Sequence, residues 1–284
     1  MLYQLNPKRN RAGDNVNQDA LPMLSVSGVS KTFHAGTVDE RVALTDVSLE
    51  LNAGDFAVVV GGNGAGKSTF LNLLAGEVES DTGTISVNGR DVTSLPTHRR
   101  AEFIARVFQD PSVGTAAALS LEENLAVAAL RGQRRTFGRG LTSKQMSHFE
   151  ARIASFNLGL EKRLKAKASL LSGGQRQALS LLMAVLRRPQ LLLLDEHTAA
   201  LDPRTAEIVM QVTEQVVREQ QLTTLMVTHN MQHALDYGNR LIMMSDGQVV
   251  GNLTGEAKRR MTMEKLIATF HETAEQEAPQ TANI

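Results

Sequence analysis

The stretch from residue 61 to residue 69 constrains the fold of this chain more than any other. It fits the pattern G-x-x-x-x-G-K-[ST] at every fixed position. The apolar residues 56–60 before it predict a buried strand, and residues 70–75 after it predict the first turns of a helix. In such a unit the N–H groups of the loop and the helix N-terminus both attract phosphate. The predicted phosphate-binding residues are Gly61, Gly62, Asn63, Gly64, Ala65, Gly66, Lys67, Ser68 and Thr69.

This loop predicts that the chain binds a nucleoside triphosphate. Lys67 would reach the outer phosphates, and the hydroxyl of Ser68 would ligate Mg²⁺. The alternative is a glycine-rich turn that contains a lysine by chance. The flanking strand and helix argue against that alternative, because they supply the structural context that the motif needs.

Composition excludes several classes of site and partner. The chain has no cysteine, which excludes disulfides, thiolate metal sites and iron–sulfur clusters. Its 30 basic and 30 acidic residues cancel, and it has no tryptophan and 2 tyrosines, so we expect no nucleic-acid partner. The first residues lack the apolar stretch of a signal peptide, and no apolar run approaches the ~18 residues that span a bilayer. Any role at a membrane would therefore depend on a partner protein.

The order of predicted elements indicates one α/β domain over residues 23–275. Apolar strands alternate with helices, which favours a mostly parallel sheet. Residues 24–29 alternate apolar and small polar side chains, as an edge strand would. Asn88-Gly89 after the run 84–87 predicts an antiparallel hairpin. The region from about 96 to 171 is mostly helical in pattern, and we predict it to be an inserted helical subdomain.

Three polar segments carry no periodic pattern. Residues 1–22 are predicted to be a flexible N-terminal extension, and residues 276–284 a polar tail. The arginine-rich segment 131–139 is either a solvated loop, which is favoured, or a basic patch. The sequence leaves the roles of the extension and of the arginine-rich segment open.

Two adjacent acids follow a strongly apolar run. Leu191 to Leu194 predicts a buried strand, and Asp195 and Glu196 follow it directly. A carboxylate at the C-terminal end of a strand beside a phosphate loop is suited to orient Mg²⁺, so we assign that role to Asp195. Adjacent strand residues point in opposite directions, so the two acids cannot share one role unless the strand has ended. We assign Glu196 as the base, or the polariser, of the attacking water.

A second glycine pair opens a predicted helix. Ser172, Gly173, Gly174 and Gln175 precede an apolar helical pattern, which places exposed N–H groups at a helix N-terminus. One interpretation is a second anion site, and the other is an ordinary serine N-cap. A second phosphate site on a chain with a complete loop makes sense only if it serves the nucleotide of another chain.

Together these motifs resemble a known family. Leu171-Ser172-Gly173-Gly174-Gln175 is similar to the signature of ATP-binding cassette (ABC) ATPases, the motor subunits of ABC transporters, and the resemblance covers about residues 24–270. The loop at 61–68 matches the Walker A motif of that family, and Asp195-Glu196 matches its Walker B aspartate and catalytic glutamate. The matches to its Q-loop, D-loop, switch histidine and adenine-stacking aromatic are Gln109, Asp202, His229 and Phe33.

The resemblance implies a fold and a mechanism. The fold would be a P-loop NTPase core of the ABC type, with a mostly parallel sheet, an antiparallel β subdomain and an inserted helical subdomain. Two cassettes would enclose two ATP molecules, with Walker A of one facing residues 172–175 of the other. The implied catalytic residues are Glu196, His229, Lys67 and Gln109. The implied Mg²⁺ ligands are Ser68, Gln109 and Asp195, and Asp202 and Phe33 would contribute to the nucleotide site.

Partners and location follow from the same resemblance. The segments 175–179 and 195–203 resemble those of bacterial importer subunits that work with branched-chain-amino-acid-type permeases and a solute-binding protein. The implied partners are a second ATP-binding subunit, expected to be a copy of this chain, and integral membrane permease subunits at the cytoplasmic face of the inner membrane. An amino acid or a similar small solute is the expected cargo.

Three other functions are alternatives to an importer subunit. An exporter subunit is the alternative within transport. A soluble ABC ATPase of DNA repair or translation would carry coiled-coil insertions or tandem cassettes, and a P-loop GTPase would carry an N-K-x-D motif; the sequence has none of these. One departure from the family is His197, which stands where many members have proline. We expect its ring to lie near the γ-phosphate and to have a loop-packing role.

Overall fold

The computed structural model describes residues 21–132, 143–154 and 158–276. The predicted extension up to residue 20, most of the arginine-rich segment and the tail from residue 277 lie outside the described residues.

A six-stranded sheet forms the centre of the fold. Its strand order is β10-β9-β3-β8-β7-β6, and all neighbours pair in parallel except β9 and β10. This confirms the prediction of a mostly parallel sheet. The strands are β3 (Phe56–Gly61), β6 (Ile104–Val107), β7 (Leu191–Asp195), β8 (Thr223–Val227), β9 (Arg240–Ser245) and β10 (Gln248–Thr254).

The apolar strands of this sheet are covered on both faces. Leu191 and Leu193 of β7 pack into one core cluster with α1 and the antiparallel sheet described below, whereas Leu192 and Leu194 pack into the other. Burial on both faces explains why β7 reads as four consecutive leucines instead of an alternating pattern. Each buried leucine contributes about 2 kcal/mol from burial of apolar surface.

A second, antiparallel sheet contains four strands in the order β2-β1-β4-β5. These are β1 (Leu24–Phe33), β2 (Arg41–Leu51), β4 (Thr82–Val87) and β5 (Arg90–Asp91). The prediction that residues 24–29 form an edge strand is wrong, because β1 pairs with both β2 and β4. The alternating pattern reports that one face of the strand is buried, and it carries no information on how many neighbours the strand has.

Helices cover the six-stranded sheet and connect its strands. The longest, α7, begins after Asp202, whose side chain accepts a hydrogen bond from the N–H of Thr205, and has proline at its first position. The helices of the described residues are α1 (Lys67–Ala75), α2 (Thr97–Arg100), α3 (Pro111–Gly114), α4 (Leu121–Ala129), α5 (Ser143–Ala154), α6 (Gly173–Val185), α7 (Pro203–Gln220), α8 (Met231–Asp236), α9 (Gly255–Arg259) and α10 (Met263–Gln276).

The structure corrects one boundary of the predicted helical insertion. Strand β6 lies inside the range 96–171, yet it pairs with β7 and forms an edge of the parallel sheet. The helical segments α3, α4 and α5 follow β6. The strand was missed because it has four residues and because Arg106 interrupts its apolar run, so no period can be read from it.

Candidate nucleotide site

The phosphate loop connects β3 to α1 and depends on its glycines. A side chain at Gly61 would place Cβ 2.3 Å from the carbonyl oxygen of Met244, and one at Gly66 would place it 2.6 Å from that of Ala43. Gly66 also has a φ of 91°, the left-handed conformation that glycine adopts without strain. The loop borders a cavity of about 160 Å³. The cavity is lined by Arg41, Asn63, Gly64, Ala65, Gly66, Lys67, Ser68, Thr69 and Glu196.

Lys67 is held inside this loop. Its Nζ donates hydrogen bonds to the carbonyl oxygens of Gly61 and Gly62, both at 2.8 Å. Burial lowers the pKa of the Lys67 ammonium, and the negative charge of Glu196 acts in the opposite direction. The structure therefore brings the predicted phosphate-binding lysine and the predicted base to one cavity.

The two acids after β7 have different environments. The strand ends at Asp195, and Glu196 has a φ of 42°, so the alternation of a strand no longer applies to it. The N–H of Glu196 donates to the carbonyl of Val227 at 2.9 Å, and its Oε2 lies 3.0 Å from Nδ1 of His229. Asp195 instead accepts a hydrogen bond from Arg106 at 2.5 Å. The two carboxylates thus have different hydrogen-bond partners.

The side chains available to a metal ion fit magnesium. Ser68 supplies a hydroxyl oxygen at the phosphate cavity, and Asp195 supplies a carboxylate. Oxygen donors of this type suit Mg²⁺, which takes one or two protein carboxylates and completes its shell with phosphate oxygens and water. The described residues include no group of three or more His, Cys, Asp or Glu side chains arranged to hold a metal.

The glycine pair before α6 has the geometry of a helix N-terminus. Ser172 Oγ accepts from the N–H of Gln175, and Gln175 Oε1 accepts from the N–H of Ser172, both at 3.3 Å. This is a capping box, so Ser172 is a helix N-cap, and the additional role of residues 172–175 as an anion site stays a prediction. Gly174 packs so closely on α7 that a Cβ would lie 2.1 Å from Cγ2 of Thr205. Residues 172–175 are not among the residues that line the phosphate cavity.

The lining of this cavity also lacks seven other predicted residues: Gly61, Gly62, Asp195, His229, Gln109, Asp202 and Phe33. Gln109 is exposed and follows the end of β6 by two residues. Asp202 caps α7, and its hydrogen bonds with Thr205 lower the pKa of its carboxyl. Phe33 ends β1, where the Nζ of Lys31 lies 5.6 Å from the centroid of its ring.

Comparisons with known proteins identify the family. A family model described as ABC transporter matches residues 44–199, more than half of the chain. The chain belongs to the ABC transporter family. The resemblance drawn from the motifs is therefore confirmed.

Curated relatives of the cassette match most of its length. The tyrosine transport ATP-binding protein of Clostridioides difficile is 40% identical over 248 residues, which cover 87% of this chain and 98% of that protein. The phosphonates import ATP-binding protein of Haloquadratum walsbyi is 35% identical, with coverage of 81% and 72%. The spermidine/putrescine import ATP-binding protein of Vibrio parahaemolyticus is 32% identical, and the match covers 83% of this chain and 58% of that longer protein.

Solved structures confirm the fold class. A dimeric ATP-binding cassette in a post-hydrolysis state, bound to ADP and Pi, aligns with a TM-score of 0.68 at 27% identity and covers 82% of this chain and 98% of that one. A cassette of an ABC transporter in its ADP conformation aligns with a TM-score of 0.72 at 24% identity, over 89% and 99% of the two chains, and supports the fold alone. The cassette is an ATPase of the ABC type.

Two features of the cassette were not found from sequence. Arg41 lines the phosphate cavity, yet it is an isolated arginine at the start of β2 and carries no motif. What singles Arg41 out is visible in the structure, where it pairs in register with Phe33. A second cavity of about 240 Å³ lies beside Glu196 and His229, and its lining includes His233. The sequence offered no reason to select His233.

The prediction for His197 is right in its role and wrong in its position. The side chain is buried, with 2% of its surface exposed, and its Nε2 lies 3.1 Å from Oγ1 of Thr213 on α7. It lines neither cavity beside Glu196. Burial lowers the pKa of the imidazole to about 3. His197 therefore packs the loop after β7 onto α7 as a neutral side chain.

Proposed function

We propose that this cassette is the ATP-hydrolysing motor subunit of an ABC importer and that ATP-driven closure of a dimer powers transport through separate permease subunits. The observation that carries the proposal is the incomplete nucleotide site. The phosphate cavity is lined by the loop at 63–69 with Arg41 and Glu196, whereas residues 172–175 line no part of it. Ser172 and Gly173 are exposed at the N-terminus of α6, where N–H groups and the helix dipole attract anions.

A second subunit would complete the site. Residues 172–175 of one copy would cover the phosphates held by the loop of the other copy, as the family resemblance implies. Nucleotide that contacts both subunits favours the closed state, because a ligand shifts an equilibrium toward the state with which it interacts more strongly. The dimeric cassette among the structural neighbours supports this arrangement.

The chemistry follows from the side chains at the cavity. Glu196 would accept a proton from, or polarise, the attacking water, and His229 would orient that carboxylate through its 3.0 Å contact. Lys67 would stabilise the charge that develops on the outer phosphates. Mg²⁺ would be held by Ser68, Asp195 and Gln109, and would neutralise phosphate charge.

Partners and location are proposed from the relatives. No helix among the described residues is long and apolar enough to cross a bilayer. We infer docking to integral membrane permease subunits at the cytoplasmic face of the inner membrane, with a solute-binding protein in the full system. The relatives named for phosphonates import and spermidine/putrescine import support import. The relative named for tyrosine transport supports an amino acid or a similar small solute as the proposed cargo. A gene for a solute-binding protein beside this one would support import, and a gene for an exporter permease would contradict it.

The dimer is tested by Ser172→Arg in a Glu196→Gln background. The added guanidinium would fill the surface that is proposed to cover the phosphates of the second subunit. We expect this variant to remain monomeric in analytical ultracentrifugation with ATP and Mg²⁺, while the Glu196→Gln parent forms a dimer. Ser94→Arg, the same change at an exposed serine outside the site, is the control and should dimerise. An ATP-dependent dimer of the Ser172→Arg variant would contradict the proposed arrangement.

A further inference from the structure

Arg106 is a charged residue on an otherwise buried strand. The other three residues of β6 are buried and apolar, and Arg106 pairs in register with Leu193 of β7. Its side chain is 11% exposed. A guanidinium removed from water to this extent is costly unless it is hydrogen-bonded to oppositely charged groups. Its partners therefore indicate why it is there.

The guanidinium of Arg106 connects three parts of the nucleotide site. Nη2 donates to Oδ2 of Asp195 at 2.5 Å. Nη1 donates to Oδ1 of Asn72 at 2.9 Å and lies 2.9 Å from Oε2 of Glu77. Asn72 belongs to α1, which begins at the phosphate loop, and Glu77 follows that helix. The Cζ atom also lies 4.9 Å from the ring centroid of Phe108, which precedes Gln109.

These contacts leave one oxygen of Asp195 available. Oδ2 is occupied by Arg106, and no hydrogen bond to Oδ1 is found among the described residues. The pair is also partly removed from water, since the side chain of Asp195 is 16% exposed. A carboxylate held through one oxygen keeps its rotamer and presents the other oxygen to a further ligand. The positive charge of Arg106 beside this carboxylate also weakens the attraction of the carboxylate for a cation.

We propose that Arg106 is a positioning residue that fixes Asp195 and lowers the affinity of the nucleotide site for divalent cations. This inference rests on the proposed function, in which Asp195 helps to hold Mg²⁺. Arg106 would keep the Asp195 carboxylate in one orientation relative to α1. The positive charge of Arg106 would also keep the affinity for the cation low enough that the cation binds and leaves together with the nucleotide. Asp195 without Arg106 would bind the cation more tightly and with a less defined geometry.

The experiment measures cation binding directly. Mn²⁺ is titrated into the full chain with a fixed amount of AMP-PNP, a nucleotide that is not hydrolysed, and free Mn²⁺ is measured by electron paramagnetic resonance. The Mn²⁺ bound in the same titration of AMP-PNP alone is subtracted, because the nucleotide itself binds Mn²⁺. We expect Arg106→Met to lower the dissociation constant of Mn²⁺ by about tenfold, and Arg106→Lys, which retains the charge, to stay closer to the parent protein. The turnover number for ATP should fall in Arg106→Met and recover partly in Arg106→Lys.

A matched ion pair provides the control. Arg240 Nη1 lies 3.1 Å from Oδ2 of Asp55, with side-chain exposures of 13% and 17%, and it stands at the start of β9, away from the phosphate loop. Arg240→Met should leave Mn²⁺ affinity unchanged. Comparable thermal unfolding of the two methionine variants, followed by circular dichroism, would show that lost stability does not explain a difference between them.

The possible outcomes separate this inference from the function on which it rests. Tighter Mn²⁺ binding in folded Arg106→Met, with no change in Arg240→Met, supports the positioning role. Unchanged Mn²⁺ affinity in folded Arg106→Met overturns it. If Arg106→Met does not fold, Arg106→Lys and Arg106→Gln decide, and equal Mn²⁺ affinity in these two variants overturns the charge effect. If AMP-PNP does not increase Mn²⁺ binding to the parent protein, the proposed metal site itself is wrong.

Discussion

Acidification should destabilise this cassette through His197. The imidazole is buried against α7, and the hydroxyl of Thr213 already donates to the carbonyl of Val209 at 2.7 Å, so it accepts from the Nε2–H of a neutral His197. The folded protein therefore binds a proton at His197 only near pH 3, whereas the unfolded chain binds it near the ordinary histidine pKa of 6.5. A depressed folded pKa means that this contribution is complete above about pH 6.5 and declines as the pH falls toward 3.

The size of the effect follows from linkage. Each pH unit inside that window removes about 1.4 kcal/mol from the free energy of unfolding. At about pH 5 the loss is about 2 kcal/mol relative to neutral pH, and this figure holds for any folded pKa below about 4. The free energy of unfolding of a domain is roughly 5–15 kcal/mol, so this loss is a large part of it.

The assay compares the cassette with His197→Gln, which keeps an N–H donor for Thr213 and does not titrate. Urea unfolding is followed by far-ultraviolet circular dichroism, because the chain has no tryptophan to report on folding. We expect the parent protein to lose about 2 kcal/mol more than the variant between about pH 7.5 and about pH 5. Titrating groups that do not interact with His197 cancel in this difference, whereas the charge of His233, which also lowers the pKa of His197, contributes a smaller part of it. Equal pH dependence in the two proteins would refute the reasoning.

Two further predictions concern the site. Glu196→Gln should retain AMP-PNP binding in calorimetry and should lower the rate of phosphate release by about 10²-fold or more. The reason is that the side chain 3.0 Å from His229 then ends in an amide, which cannot accept a proton from water. Full activity would remove Glu196 from the role of base. Gly174→Ala should lower the free energy of unfolding by about 1–3 kcal/mol through its clash with Thr205. Thr205→Ser should relieve that loss, and Gly173→Ala, whose Cβ meets only the flexible tip of Leu201 at 3.2 Å, should cost less.

The parts of the fold that could be predicted are those with local physical signals. Strands β3 and β7 were found because burial on both faces requires continuous apolar runs. The phosphate loop was found because close backbone contact at Gly61 and Gly66 requires glycine at those positions. Strand β6 was missed because a polar residue within four positions removes the pattern.

The residues that could not be predicted reach the site through tertiary contacts. Arg41 and Arg106 each lie on a strand whose sequence carries no motif, and each meets the nucleotide site across a gap of many residues in the chain. Arg106 and Asp195, for example, are separated by 89 positions. Propensity and periodicity describe neighbours along the chain, so they hold no information about such pairs.

The strand order explains how two adjacent acids serve two purposes. Strand β7 lies between β8 and β6, and its C-terminal end therefore has a different neighbour on each side. Asp195 is bound by Arg106 of β6, whereas Glu196 bonds through its N–H to Val227 of β8 and through its carboxylate to His229 beyond that strand. Strand β8 also pairs with β3, which leads into the phosphate loop, and Arg106 bonds Asn72 of the helix that follows that loop. The sheet thus gives the two acids different neighbours, which supports the separate roles proposed for them, Asp195 toward the cation and Glu196 toward the water.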